Sequence, residues 1–183
     1  MKNICVYCGS QDSSNPSFPD LARQIGQEIS NRNWGIVYGG GKIGMMGQVA
    51  DSALKKNGQV FGVIPTQLKK AEVAHTGLTD LHETQDMHTR KALMESLSDA
   101  FLVLPGGFGT LDEFFEILTW RQLGIHNKPI LLLNSEGYFD GLIQFTNNAI
   151  EQGFIHKKSL SLFQVCEDTE SCMSQLERFF ELD

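Results

Sequence analysis

Positive charge is scarce in this chain: 15 Lys and Arg stand against 22 Asp and Glu among 183 residues, a formal charge of −7. A general nucleic-acid or anionic-membrane surface needs clustered cations to neutralise phosphates, so neither partner is expected and any phosphate site must be local. Small basic pairs occur at Lys69-Lys70, which reads as a solvated loop, and at Arg90-Lys91. Apolar runs are short, none approaching membrane-spanning length. The chain enters a strand at once with Asn3-Ile4-Cys5-Val6-Tyr7, without the charged start, long apolar stretch and cleavage site of a secretory signal. A cytoplasmic protein is expected. Only four cysteines occur. Cys5 and Cys8 form C-x-x-C, but Cys5 falls within a strand, no second pair follows at zinc spacing, and Cys166 and Cys172 are too far apart. Reduced structural thiols and no metal site are expected. The five histidines are scattered, His82-Glu83-Thr84-Gln85-Asp86 has no second zinc histidine, and no G-x-S-x-G elbow exists.

Strand-like and helix-like segments alternate almost throughout, the pattern of a parallel sheet covered by helices. Strands are expected at 4–8, 35–38, 59–64, 80–82, 100–104 and 129–133, with a possible last one at 162–166. Helices fit 18–32, 45–57, 89–97, 111–123, 139–152 and 169–182, with Gly58 and Gly153 as C-caps. In the first helix Leu21, Ile25 and Ile29 recur at fours, a stripe to pack on the sheet. The polar, irregular stretch 65–80 is the best candidate for a mobile loop. The length suits one α/β domain, residues 1–183, without stabilising disulfides. Ligands in such folds sit at the carboxyl ends of strands, where a topological switch opens a crevice.

The most informative segment is Leu104-Pro105-Gly106-Gly107-Phe108-Gly109-Thr110-Leu111-Asp112-Glu113. It leaves the continuous apolar strand Ala100-Phe101-Leu102-Val103-Leu104, of the kind a sheet buried on both faces requires. Pro105 ends the ladder, having no backbone donor. Gly106, Gly107 and Gly109 carry no β-carbon, so their amides can approach an anion, and Thr110 is a good N-cap for the next helix. The open amides and dipole of that helix start favour phosphate. Glu113 then falls in the first turn. A capping box accounts for its spacing equally well, but not for three glycines together.

Two further turns follow strands: Cys8-Gly9-Ser10 and Gly39-Gly40-Gly41-Lys42-Ile43-Gly44-Met45-Met46-Gly47. The second matches G-x-G-x-x-G, but the acidic residue about 20 positions on that would hold a ribose is absent, which argues against a nicotinamide or flavin enzyme. Gly41-Lys42 is followed by Ile43, so it is no Walker loop. What survives is a second patch of amides, with Gly9, Ser10, Gly40 and Gly41 as nucleotide contacts; tight helix-on-sheet packing is the alternative. Arg90, in Met87-His88-Thr89-Arg90-Lys91, lies one αβ unit before Glu113, a spacing that can bring both to one sheet edge. A solvated helix start explains an isolated Arg-Lys pair as well.

Pro105 to Glu113, read with Met87 to Lys91, resembles the LOG family: the cytokinin riboside 5'-monophosphate phosphoribohydrolases, often mislabelled lysine decarboxylases. The family pattern P-G-G-x-G-T-x-x-E and its M-x-x-R-K element are matched at every fixed position. Val37-Tyr38-Gly39-Gly40-Gly41, Cys8-Gly9-Ser10, Thr119-Trp120 and Gln122-Leu123-Gly124-Ile125 continue the likeness, which weakens after about Gly153. The resemblance implies a Rossmann-like, doubly wound homodimer with helices on both faces. It would hydrolyse the N-glycosidic bond of an N6-modified adenine riboside 5'-monophosphate, without a cofactor, to free base and ribose 5-phosphate. It implies Arg90 and Glu113 as the catalytic pair. It implies Glu72, Arg90, Lys91, Gly107, Phe108, Gly109, Thr110, Leu111, Asp112, Glu113 and Thr119 as substrate-binding positions. A broader AMP or purine nucleotide hydrolase and a non-catalytic nucleotide-binding module are the competing readings. No sequence signature marks the lysine imine and ring-nitrogen partner that a pyridoxal decarboxylase needs.

Overall fold

The computed structural model describes residues 1–69 and 73–182. Seven strands pair in parallel: β1 (Asn3–Tyr7), β2 (Gly35–Tyr38), β3 (Val60–Pro65), β4 (Asp80–Thr84), β5 (Ala100–Val103), β6 (Ile130–Leu133) and β7 (Gln164–Cys166). Their order in the sheet is β4-β3-β2-β1-β5-β6-β7. The helices are α1 (Ser17–Asn31), α2 (Gly44–Leu54), α3 (Met87–Ser96), α4 (Phe108–Gln122), α5 (Asp140–Glu151) and α6 (Thr169–Glu181). This is the parallel sheet covered by helices that the alternating pattern implies, in the doubly wound α/β form that the family resemblance implies.

Two-residue periodicity divides the core. Ile4 and Val6 of β1, Ala100 and Leu102 of β5, and Leu131 and Leu133 of β6 face α1, α2 and α6. The alternate residues Cys5, Tyr7, Phe101, Val103, Ile130 and Leu132 face α3, α4 and α5. Both faces are covered, which is why these strands read as unbroken apolar runs. β1 pairs with β2 on one side and β5 on the other, so the chain changes direction across the sheet there. The turns leaving β1 and β5 therefore border one crevice.

The departures from expectation lie at element ends. α2 stops at Leu54, and the left-handed residue after it is Asn57 (φ 59°), not Gly58. Gly58 is required for space, since a β-carbon there would overlap the Ser30 hydroxyl. Gly153 does take the left-handed C-cap conformation (φ 81°) after α5. The expected mobile loop is pinned over its described part: Lys42 N–H donates to the Val73 carbonyl (3.0 Å) and His75 N–H to the Gly40 carbonyl (2.9 Å). The buried His75 ring also meets Asp51 at 3.0 Å. Among the described residues, no helix is long and apolar enough to cross a membrane.

Candidate active site

The crevice beyond β1 and β5 holds a cavity of about 520 Å³. One wall is backbone: Cys8, Gly9 and Ser10 after β1, and Pro105 through Thr110 after β5. Phe18, Met45, Met46, Leu68 and Met87 form an apolar wall, and Arg90 and Glu113 supply charge. Two helices begin at its edge, α2 at Gly44 and α4 at Phe108, so two positive dipole ends border one space.

The glycine turn starts its helix earlier than the sequence suggests. Gly107 is the N-cap of α4 (φ −97°, ψ −151°), and no side chain caps this end. Thr110, the expected cap, lies inside the first turn, buried. The early start disturbs no packing: a β-carbon on Gly107 would meet nothing within 4 Å, and the Phe108 ring is 93% exposed. Glu113 consequently occupies the second turn rather than the first, where no capping box is possible. Dipole effects fade within one turn, so a nearby cation carries more weight for its charge.

That cation is Arg90. Asp86 caps α3 by accepting from the Thr89 backbone N–H at 2.7 Å, a bond that holds its carboxyl below the ordinary aspartate value. One turn on, Arg90 is buried and donates from Nε to the Val63 carbonyl (3.0 Å) and from Nη2 to the Gly39 carbonyl (3.1 Å). These carbonyls belong to the carboxyl-terminal end of β3 and the turn leaving β2. Nη2 lies 4.0 Å from Glu113 Oε1.

Lys91 turns the other way. Its Nζ meets Asp112 Oδ2 at 3.0 Å and Glu116 Oε2 at 2.8 Å, fastening α3 to α4 on either side of Glu113. Burial opposes the charge of this ammonium, but the Glu116 and Asp112 carboxylates outweigh it and raise the lysine above its ordinary value.

Of the residues singled out from the sequence, Gly9, Ser10, Arg90, Gly107, Phe108, Gly109, Thr110 and Glu113 line the cavity. Lys91, Leu111, Asp112 and Thr119 do not; Thr119 is exposed and donates to the Phe115 carbonyl at 2.7 Å. Glu72 lies outside the described residues. Gly40 and Gly41 also stand away from the cavity. Gly40 packs against Ile64 and Leu81 with φ 77°, and the Gly41 carbonyl accepts from the Tyr38 hydroxyl at 3.1 Å. The triplet instead makes room for Arg90, because a β-carbon on Gly39 would overlap Nη2. Sequence reasoning missed the carbonyls of Gly39 and Val63, the methionine wall and Tyr138. For the methionines a signal existed: Met45, Met46 and Met87 each open a helix at the carboxyl edge of the sheet.

Cys8 borders the cavity, yet burial and then the charge of Glu113 push its thiol well above the ordinary value, and Cys5 beneath it behaves alike. Such thiols stay protonated and are poor nucleophiles.

A family model described as "Possible lysine decarboxylase" matches residues 46–176. A cytokinin riboside 5'-monophosphate phosphoribohydrolase of Rhodococcoides fascians is 44% identical over 176 residues, 96% of this chain and 89% of that protein. The chain belongs to the LOG family. A second LOG relative, a cytokinin riboside 5'-monophosphate phosphoribohydrolase of Arabidopsis thaliana, is 42% identical over 97% of this chain and 84% of its own. Solved structures of the same fold include the molybdenum cofactor binding protein of Rippkaea orientalis, with a TM-score of 0.75 and 22% identity over 98% of each chain. The molybdenum cofactor carrier protein of Chlamydomonas reinhardtii gives 0.74 at 16% identity over 100% and 99%. At such identities the likeness is one of fold. Among the described residues, no lysine lines the cavity.

Proposed function

We propose that the chain hydrolyses the N-glycosidic bond of an N6-modified adenine riboside 5'-monophosphate, releasing the free base and ribose 5-phosphate. The observation that carries this reading is the largely shielded carboxylate of Glu113, 4.0 Å from Arg90, in a cavity whose other wall is a glycine turn at a helix start. The names borne by relatives at 44% and 42% identity support the same reaction.

Breaking a ribosyl C–N bond builds positive charge on the sugar. A fixed carboxylate beside C1' lowers that barrier and orients water for attack, whose oxygen ends on C1' while the base leaves protonated. Glu113 is that group. Arg90, locked on two backbone carbonyls, holds substrate by charge-assisted hydrogen bonds and fixes the geometry around Glu113. The amides of Gly107, Gly109 and Thr110 take the 5'-phosphate and anchor the nucleotide in the cavity. The wall of Phe18, Met45, Met46 and Met87 suits a purine and its N6 substituent, because methionines adapt to irregular apolar shapes. Family resemblance adds Leu111, Asp112, Lys91, Glu72 and Thr119 to the proposed substrate-binding set, although the described ones stand outside the cavity wall.

The reading includes a homodimer in a cytoplasmic setting, in which Phe115, Leu123 and Ile125, exposed on and after α4, become covered. Incubation with AMP and with isopentenyladenosine monophosphate, followed by detection of free base, tests the reaction and its base preference. A faster release of isopentenyladenine is expected. No free base from either nucleotide removes the proposal, and equal rates for adenosine and AMP refute the phosphate cradle.

A further inference from the structure

Tyr138 stands at the rim of the cavity with its ring half exposed, and its hydroxyl donates to the Gly106 carbonyl at 2.6 Å. The contact joins the turn after β6 to the turn after β5, across 32 residues of sequence. Its ring is held edge-on by Phe18 (centroids 5.4 Å, 87°) and Phe139 (4.9 Å, 89°). The turn that presents it is built for the purpose. Glu136 and Gly137 both take left-handed conformations (φ 55° and 70°), the Glu136 carboxylate accepts from Asn15 at 2.7 Å, and Asn134 Oδ1 accepts from the Phe139 N–H at 2.7 Å.

The Gly106 end of the bond is equally constrained. A β-carbon on Gly106 would overlap the Thr110 hydroxyl and crowd the Gly9 amide, and Gly9 N–H donates to the Pro105 carbonyl at 3.1 Å. The peptide joining Gly106 to Gly107 is planar and trans, so its C=O and N–H point in opposite directions. Holding the oxygen therefore fixes the direction of the Gly107 N–H. A hydrogen bond on the oxygen also polarises the amide and strengthens its N–H as a donor. A peptide flanked by two glycines is the easiest kind to rotate, so the constraint has to come from outside the turn.

We propose that Tyr138 is a positioning residue for the phosphate monoester: its hydroxyl pre-sets the Gly106–Gly107 peptide so that the glycine turn receives the 5'-phosphate without reorganising. The inference rests on the reading of this cavity as the nucleotide site. Phosphate held alike in ground and transition states contributes to binding and not to the chemical step.

Tyr138→Phe keeps both edge contacts and removes only the hydroxyl. The KM for AMP should rise about five- to tenfold while kcat stays within about twofold. The dissociation constant of ribose 5-phosphate, titrated calorimetrically without turnover, should rise by the same factor, and slow cleavage of adenosine should not change. A variant with unaltered KM and ribose 5-phosphate affinity, or with a lowered kcat alone, overturns the role of Tyr138. Wild-type protein that neither binds ribose 5-phosphate nor releases base overturns the underlying reading of the cavity, and this inference with it.

Discussion

Glu113 Oε1 and Arg90 Nη2 lie 4.0 Å apart with side chains only 11% and 5% exposed, so each charge meets the other largely shielded from solvent. Proposed as the group facing the sugar, Glu113 acts through its negative charge. Glu113→Gln keeps the shape and removes the charge. Turnover of AMP should fall by about two or more orders of magnitude, with nucleotide affinity changed only a few-fold. Single-turnover kinetics beside equilibrium titration separate the two quantities. Normal turnover in this variant removes Glu113 from the chemistry.

Arg90 owes its position to the absence of a side chain at residue 39. A methyl group there would overlap Nη2 and crowd the Met46 sulfur, both near the far ends of long side chains that can shift. Gly39→Ala should therefore fold, with a melting temperature within a few degrees of the parent. Its turnover should drop at least tenfold, because Arg90 loses the Gly39 carbonyl and moves from Glu113. Full activity in the folded variant would show that the Arg90 geometry is not needed.

These two residues illustrate how much could be read beforehand. The apolar run 100–104, the proline and the glycines after it announced a buried strand and a turn, because hydrophobic period and backbone chemistry are local properties. One αβ unit of spacing allowed Arg90 to reach the sheet edge of Glu113, though a solvated helix start fitted the sequence as well. Its partners did not: Val63 and Gly39 lie 27 and 51 residues away and act through carbonyls, which every residue possesses. The α4 start was misjudged for a related reason. Thr110 has the side chain of an N-cap, but open space around Gly107 let the helix begin earlier. Tyr138 offered no local signal, since its partner Gly106 belongs to a different strand end.

His126 gives the fold a measurable acid sensitivity. It is buried, receives the Lys128 N–H on Nδ1 at 3.2 Å, and so donates from Nε2 to the Ile117 carbonyl at 2.9 Å. Burial pushes its pKa below the ordinary value of 6.5. A histidine depressed in the folded state adds stability that is complete above about pH 6.5 and lost as pH falls through its folded pKa. The melting temperature should decline from pH 7.5 to pH 5, and the decline should be shallower in His126→Gln. Parallel profiles for the two proteins would rule out this residue as the source.

Lys91 separates two accounts of the same motif. Family resemblance suggests that it touches substrate, whereas its ammonium lies between Asp112 and Glu116 and its side chain is absent from the cavity wall. If it clamps α4, Lys91→Met loosens the helix that carries Glu113, leaving two carboxylates facing a thioether. Glu116 is only 22% exposed, so the loss should amount to roughly 1–3 kcal/mol, less than for a fully buried pair because Asp112 is 57% exposed. Turnover should fall as Glu113 wanders, while the affinity for ribose 5-phosphate stays near the parent's. A direct substrate contact predicts the reverse: unchanged stability and weakened ligand binding. Denaturant unfolding and calorimetric titration of the one variant therefore decide between clamp and contact, because the clamp acts on the position of α4 and the contact acts only when ligand is present.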